Sequence, residues 1–138
     1  MCLSSVIKGP EIIQRMEKKG YGWKCVRIFD NDIYAAMMGL FKKLPRNRWL
    51  DARNYRCTPS LDYLSSDSGP CYLNGWHIFD TKKDARKWAD DTCYHVLRVK
   101  FKNVVAVGKQ MINRKVIVAR FIKIEGRKHH VSIYSIKN

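Results

Sequence analysis

The sequence has few acidic residues, with 12 Asp and Glu against 27 Lys and Arg. Three of the acids are glutamates, namely Glu11, Glu17 and Glu125. The formal net charge is +15 at neutral pH. A surplus of this size favours an anionic partner, such as nucleic acid, an anionic membrane surface or an acidic protein. The alternative is that the charge only prevents aggregation.

The sequence also lacks a cysteine pattern. Its five cysteines are odd in number, and no two lie within four residues of each other: Cys2, Cys25, Cys57, Cys71 and Cys93. This spacing excludes the usual zinc motifs and argues against a disulfide framework. We therefore expect free thiols in a reducing compartment, with Cys25 and Cys93 packed as small core residues.

Long apolar stretches are missing too. The segment from Met1 to Lys8 is too short for a signal peptide, and no run approaches the ~18 apolar residues of a membrane helix. The sequence therefore predicts an intracellular, cytoplasmic protein with no membrane partner. It does not indicate an oligomeric state.

Recognisable catalytic motifs are absent as well: there is no Gly-rich phosphate loop, Ser-centred elbow or set of paired carboxylates. His129 and His130 are adjacent but have no flanking acid or cysteine, so we expect neither metal nor cofactor. His77 is either a hydrogen-bonded structural residue or an acid–base group. Cys2 would be a nucleophile only if Met1 were removed.

The first third of the chain predicts a helix and a hairpin. Pro10 suits a first helical position, and Gly20 is a natural helix end. Tyr21 to Phe29 is rich in aromatic and β-branched residues, as strands are. After the turn signal Asp30-Asn31-Asp32, a second strand is expected over Ile33 to Met38.

The remainder predicts one further helix and several strands. Thr58 to Pro70 is rich in turn residues and predicts a surface loop. A strand over Cys71 to Phe79 leads to a helix that Thr81 caps, with Ala85, Trp88 and Ala89 on its buried side. Further strand patterns follow from Tyr94 onward: Leu97–Lys102, Val104–Val107, Val116–Ile124 and Val131–Ile136. Residues 1–138 thus predict a single α+β domain, a mostly antiparallel or mixed sheet with two helices packed against it.

The segment from Leu40 to Cys57 is the first candidate site, because it combines cations with two aromatic residues. Long cations suit phosphate contacts, and flat rings stack on bases. The alternative is that the two rings belong to the core and the cations form a solvated rim. The residues concerned are Lys42, Lys43, Arg46, Arg48, Trp49, Arg53, Tyr55 and Arg56.

A second candidate is the strand in which Arg98, Lys100 and Lys102 alternate with apolar residues. Three like charges on one sheet face repel one another unless solvent or a bound anion neutralises them. Predicted turns add further cations to this basic surface: Arg114, Lys115, Arg127 and Lys128.

The motif Gly75-Trp76-His77-Ile78-Phe79, followed by Asp84-Ala85, resembles a small uncharacterised domain of phage and mobile-element proteins. Those proteins carry a Gly-[Phe/Trp]-His-x-Phe strand before a helix with an Asp-Ala or Glu-Ala pair. Trp49-Leu50-Asp51-Ala52 resembles the Trp-x-x-Ala segment upstream of that motif. The resemblance covers roughly Tyr21 to Ile124 and implies a viral or mobile-element origin, without a settled function.

A weaker resemblance is to the ADP-ribosyltransferase-like fold. Those enzymes have an early strand that bears Arg or His and a late catalytic glutamate, and the resemblance implies Arg27, His77 and Glu125 for these positions. Glu125 follows its strand, whereas those enzymes place the glutamate within the strand or at its start.

Three functional hypotheses follow. The favoured one is a non-enzymatic accessory protein that docks on nucleic acid or on a nucleic-acid-binding host protein, such as a defence nuclease that it inhibits. The second is an ADP-ribosyltransferase-like enzyme. The third is a structural component of a virus particle.

Overall fold

The structure is a computed structural model that describes residues 3–7, 9–35, 42–55, 63–66, 69–73, 75–92, 94–110 and 113–126. In these residues two helices accompany a seven-stranded sheet and a separate two-stranded sheet. Every strand pair is antiparallel. The predicted α+β class is confirmed.

The described helices are α1 (Pro10–Lys19) and α2 (Lys82–Thr92). A short 3-10 turn, Ala52–Asn54, follows the fourth strand. The strands are β1 (Ser5–Val6), β2 (Tyr21–Phe29), β3 (Asp32–Ala35), β4 (Trp49–Asp51), β5 (Tyr63–Ser66), β6 (Gly69–Leu73), β7 (Trp76–Phe79), β8 (His95–Gln110) and β9 (Arg114–Lys123).

Helix α1 begins and ends where the sequence predicts. Pro10 occupies its first turn, and Gly20 ends it in the left-handed region with φ 72°. The Gly20 N–H donates to the Met16 carbonyl at 2.9 Å, which closes the last turn. Met16 is buried against the sheet, and Ile12 and Ile13 pack beside it. The apolar side of α1 therefore covers one face of the sheet.

The predicted hairpin is confirmed as β2 and β3. Asp30 and Asn31 both have positive φ, 52° and 66°, which is the pattern of a type I′ turn. This turn matches the right-handed twist of the strands it joins. Strand β3 ends at Ala35, and the predicted continuation to Met38 lies outside the described residues.

Helix α2 confirms the predicted cap. The Thr81 Oγ1 accepts the Asp84 N–H at 3.2 Å, so one free amide of the first turn is satisfied. Ala85 and Ala89 are buried, and Trp88 packs against the same cluster. No helix in the described ranges is long and apolar enough to span a membrane.

Two predictions for the middle of the chain need correction. The predicted loop 58–70 contains strand β5 and the start of β6, which pair as a small sheet. The predicted strand Cys71 to Phe79 is divided between β6 and β7. Serine and glycine suggested an irregular loop, but a hairpin places the same residue types at its turn and edges. The predicted strand Val131–Ile136 lies outside the described residues.

Four strands close into a ring. Strand β8 pairs with β2 and β9, and β7 pairs with the same two strands. One apolar cluster contains Trp76 and Ile78, and the opposite side of β7 joins a second cluster with α2. The whole of β7 is therefore buried. Cys25 lies in the second cluster as a free thiol, as predicted, and burial raises its pKa to about 12.

Gly22 permits β2 to approach β7 where the ring closes. A Cβ at this position would lie 2.6 Å from the Ile78 Cγ2 and 2.8 Å from the Phe79 carbonyl oxygen. We expect Gly22→Ala to lower the free energy of unfolding by about 1–3 kcal/mol, because buried backbone cannot move aside cheaply. Urea denaturation measures this loss, and a change below ~0.5 kcal/mol would contradict a tight junction between β2 and β7.

Candidate functional site

Trp49 of the first candidate segment and the cations of strand β8 meet on one face of the sheet. In the ladder, Tyr21 of β2 lies opposite Lys100 of β8, and Lys100 lies opposite Lys123 of β9. Lys123 in turn lies opposite Trp49 of β4. Directly paired residues project to the same side of a sheet. These four side chains therefore form a row across four strands.

The same face continues on either side of this row. Arg98 and Lys102 lie two residues before and after Lys100, and Lys102 is paired with Phe121. Seven residues form this surface, the cation–aromatic face: Tyr21, Trp49, Arg98, Lys100, Lys102, Phe121 and Lys123.

Alternation along β8 produces this face. Leu97, Val99 and Phe101 are at most 4% exposed, whereas the cation that follows each of them is exposed. Side chains with a period of two alternate between the faces of a strand. The predicted division into an apolar and a cationic side is thus confirmed for β8.

The cations contact the aromatic rings of the face. The Lys102 Nζ lies 4.3 Å from the centroid of the Trp49 ring and 5.3 Å from that of Phe121. The Lys123 Nζ lies 5.9 Å from the Trp49 centroid, and the Arg98 guanidinium carbon lies 4.3 Å from the Tyr21 centroid. Trp49 is nevertheless 39% exposed. Its ring is therefore accessible to a ligand.

Positive charge dominates the cation–aromatic face. Of its four cations, Lys100 forms an ion pair with Glu125 at 3.0 Å, and both side chains are about half exposed. Within the described ranges, the other three cations have no ion pair. Asp51 does not compensate them, because Arg120 holds it at 3.0 Å and lowers the pKa of its carboxyl by hydrogen bonding. An anionic ligand would meet a surplus of three positive charges here.

The rest of the basic segment is engaged elsewhere. Lys42 donates to the Asn54 carbonyl at 2.6 Å and lies over the ring of Tyr55. Lys43 pairs with Asp32 at 3.2 Å, and this hydrogen bond raises the pKa of its ammonium group. Arg46 donates to the carbonyl of Asn31 at the hairpin turn. These three cations support local structure.

Tyr55 is removed from the candidate site. It is only 7% exposed, and its ring centroid lies 5.2 Å from that of the buried Trp76. The structure therefore separates the two aromatic residues of the segment, with Trp49 on the surface and Tyr55 in the core. The alternative that the rings are core residues is correct for Tyr55 alone.

The remaining predicted cations are dispersed. Arg48 and Arg53 are exposed on either side of β4. Arg114 and Lys115 lie at the start of β9, roughly 20 Å from Phe121 at ~3.3 Å per residue. Lys115 also lies 3.9 Å from Asp80. They are not part of the cation–aromatic face, and three predicted residues lie outside the described ranges: Arg56, Arg127 and Lys128.

Sequence reasoning missed Tyr21, Phe121 and Lys123. All three lie in strands that the sequence identified. What was missing was the register between strands that are distant in the chain, since only pairing brings Lys123 beside Trp49.

The three residues suggested by the transferase resemblance do not form one site. His77 lies opposite Val118 of β9. Glu125 is seven residues after Val118, which places it roughly 20 Å from His77 along the strand direction. Arg27 donates to the carbonyl of Ala35 in the hairpin. Among the described residues, no group of three or more His, Cys, Asp or Glu is placed to hold a metal.

Comparison with known proteins gives no match: no family model, curated protein or solved structure is similar to this chain. The phage and mobile-element resemblance stays a prediction.

His77 makes stability depend on pH. Burial, followed by the nearby charge of Lys24, lowers its pKa to about 3 from 6.5. Below pH 6.5 the His77 side chain therefore binds a proton in the unfolded chain but stays neutral in the folded chain. We expect stability to fall by up to ~1.4 kcal/mol per pH unit between pH 6.5 and 4.5.

Urea titrations at several pH values test this dependence. His77→Asn retains an amide for the Gly75 carbonyl, which the ring Nδ1 contacts at 3.2 Å. This variant should flatten the profile. His95→Asn is the comparison variant: burial also lowers the pKa of the less buried His95, so its removal should flatten the profile less than His77→Asn does. An unchanged profile in His77→Asn would contradict the assignment.

Proposed function

We propose that this is a non-enzymatic binding protein whose cation–aromatic face holds nucleic acid. The observation that carries the proposal is the row of Tyr21, Lys100, Lys123 and Trp49 across four neighbouring strands. An antiparallel sheet that exposes rings beside cations on one face is a surface on which bases stack while phosphates meet ammonium groups.

The composition of the face favours nucleic acid over an acidic protein. Carboxylates of a protein partner would pair with the cations of the face. They would not use the exposed ring of Trp49 or the neighbouring Phe121. Nucleic acid supplies a flat face and an anion in every residue, at a spacing of a few ångströms. Adjacent strands are ~4.8 Å apart, so each ring of the row lies beside a cation on the same scale.

A base that stacks on the side of the Trp49 ring contacted by Lys102 displaces that ammonium group. An exposed cation–π contact contributes about 0.5–1 kcal/mol. Stacking of a base on an aromatic side chain contributes about 1–3 kcal/mol, and the released ammonium group gains a phosphate partner. The exchange therefore favours the bound state. The ion pair between Lys100 and Glu125 is similarly weak, because both groups face water.

The other hypotheses differ in their support. The transferase hypothesis lacks a common site for Arg27, His77 and Glu125. Docking on a host protein, inhibition of a defence nuclease and a role in a virus particle stay predictions, as do a viral origin and a cytoplasmic location.

The proposal predicts that loss of charge from the face changes the salt dependence of binding. Each cation that contacts a phosphate of a single strand contributes ~0.7 to the log–log salt slope. We expect the double variant Lys102→Gln/Lys123→Gln to lower the slope by about 1.4 and to weaken binding. Fluorescence anisotropy with a labelled single-stranded oligonucleotide measures both quantities across a salt series.

The matched control is Lys109→Gln/Lys87→Gln. It removes the same charge from exposed positions outside the face, on β8 and α2 respectively. Its slope should remain near that of the unmodified protein. An equal loss of affinity and salt slope in both double variants would mean that net charge alone governs binding. Absence of binding at low salt would overturn the proposal and direct the search to acidic protein partners.

A further inference from the structure

We infer that the cation–aromatic face selects single strands, with one base stacked at Trp49 and another at Tyr21 and the backbone crossing Lys123 and Lys100 between them. This inference rests on the proposed nucleic-acid function and deepens it, because it names the ligand class and its path. The path runs across the strands rather than along them.

The distance between the two rings supports a single strand. They lie at opposite ends of the row formed by Tyr21, Lys100, Lys123 and Trp49. Three steps between neighbouring strands place them roughly 14 Å apart. Stacked bases in a duplex are only ~3.4 Å apart, and their neighbours cover both of their faces. Bases that reach both rings must be unstacked and spread apart, as in an extended single strand.

Each ring has two cations beside it. At the Trp49 end, the ammonium groups of Lys102 and Lys123 lie 4.3 and 5.9 Å from the ring centroid. At the Tyr21 end, the Arg98 guanidinium lies over the ring, as does the Lys19 ammonium group, which is also paired with Asp80. A guanidinium plane also stacks on bases, so this end offers two flat groups. Each base position is thus next to a group that reaches the adjoining phosphate.

The same residues predict at most a modest sequence preference. None of the seven is Asn, Gln, Asp or Glu, the side chains that read adenine and cytosine edges. The four cations of the face can reach guanine edges, but they also meet the phosphates. The face therefore holds bases mainly by stacking, which every base permits.

The test measures the affinity of the unmodified protein for three DNA ligands of equal length. They are an oligothymidine, an abasic strand with the same phosphates, and a duplex. We expect the oligothymidine to bind at least about tenfold more tightly than the abasic strand, because two stacked bases are lost. The duplex should bind more weakly than the oligothymidine. An oligomer of ribothymidine measured in parallel isolates the effect of the sugar, and tight binding of either single strand supports the inference.

Two aromatic variants locate the stacking. Trp49→Leu should reduce affinity for the oligothymidine while leaving the salt slope unchanged, since every cation remains. Phe29→Leu is the control, because Phe29 is 70% exposed next to the β2–β3 turn and has no part in the row. Its affinity should match that of the unmodified protein.

The outcomes separate this inference from the proposed function. Equal binding of the base-containing and abasic strands would overturn stacking, while nucleic-acid binding through the phosphates would stand. Tighter binding of the duplex would likewise overturn the single-strand inference alone. No binding of any oligonucleotide would overturn both. An equal loss of affinity for the oligothymidine in Trp49→Leu and Phe29→Leu would overturn the placement of the bases on this face.

Discussion

The antiparallel pairing of β8 with β9 is the interaction on which the rest of the structure depends. The ladder runs from the Lys100–Lys123 pair to the Gln110–Arg114 pair. The outer edge of β8 receives β2 and β1, and the outer edge of β9 receives β7 and β4. Every other described strand of the large sheet thus pairs with β8, with β9 or, in the case of β3, with β2. Loss of this ladder would remove both the closed ring and the cation–aromatic face.

An irregularity in the ladder determines where the face ends. Asn103 has a φ of 57°, and the register shifts between Val104 and Ala106. An extra residue in one strand bends it and changes which side chains face inward. The carboxylate of Glu17, on α1, accepts a hydrogen bond from the Val104 N–H at 2.9 Å. A helix side chain therefore satisfies a backbone donor at the irregularity. The alternation of exposed cations with buried residues therefore ends at Lys102, and beyond the bend Ala106 joins the apolar cluster that α2 covers.

Local signals in the sequence were enough for the helices, the β2–β3 hairpin and the two sides of β8. A cap, a turn with positive φ and a period of two each depend on residues that are close in the chain. The site needed more, because Trp49 and Lys123 become neighbours only through the pairing of β4 with β9. Composition also cannot distinguish Trp49 from Tyr55, which share one basic segment. The strand exposes Trp49, whereas the chain after the 3-10 turn directs Tyr55 towards Trp76.

The arrangement of the face argues that its charge has a use beyond solubility. Cations that prevent aggregation are best dispersed over the surface, because like charges side by side in a sheet destabilise it. Here Lys100 and Lys123 are direct cross-strand neighbours, and Lys102 lies nearby over Trp49. The rings reduce the repulsion by holding ammonium groups against their electron-rich faces. A bound phosphate chain would reduce it further, so a ligand of the proposed kind would also stabilise the folded protein.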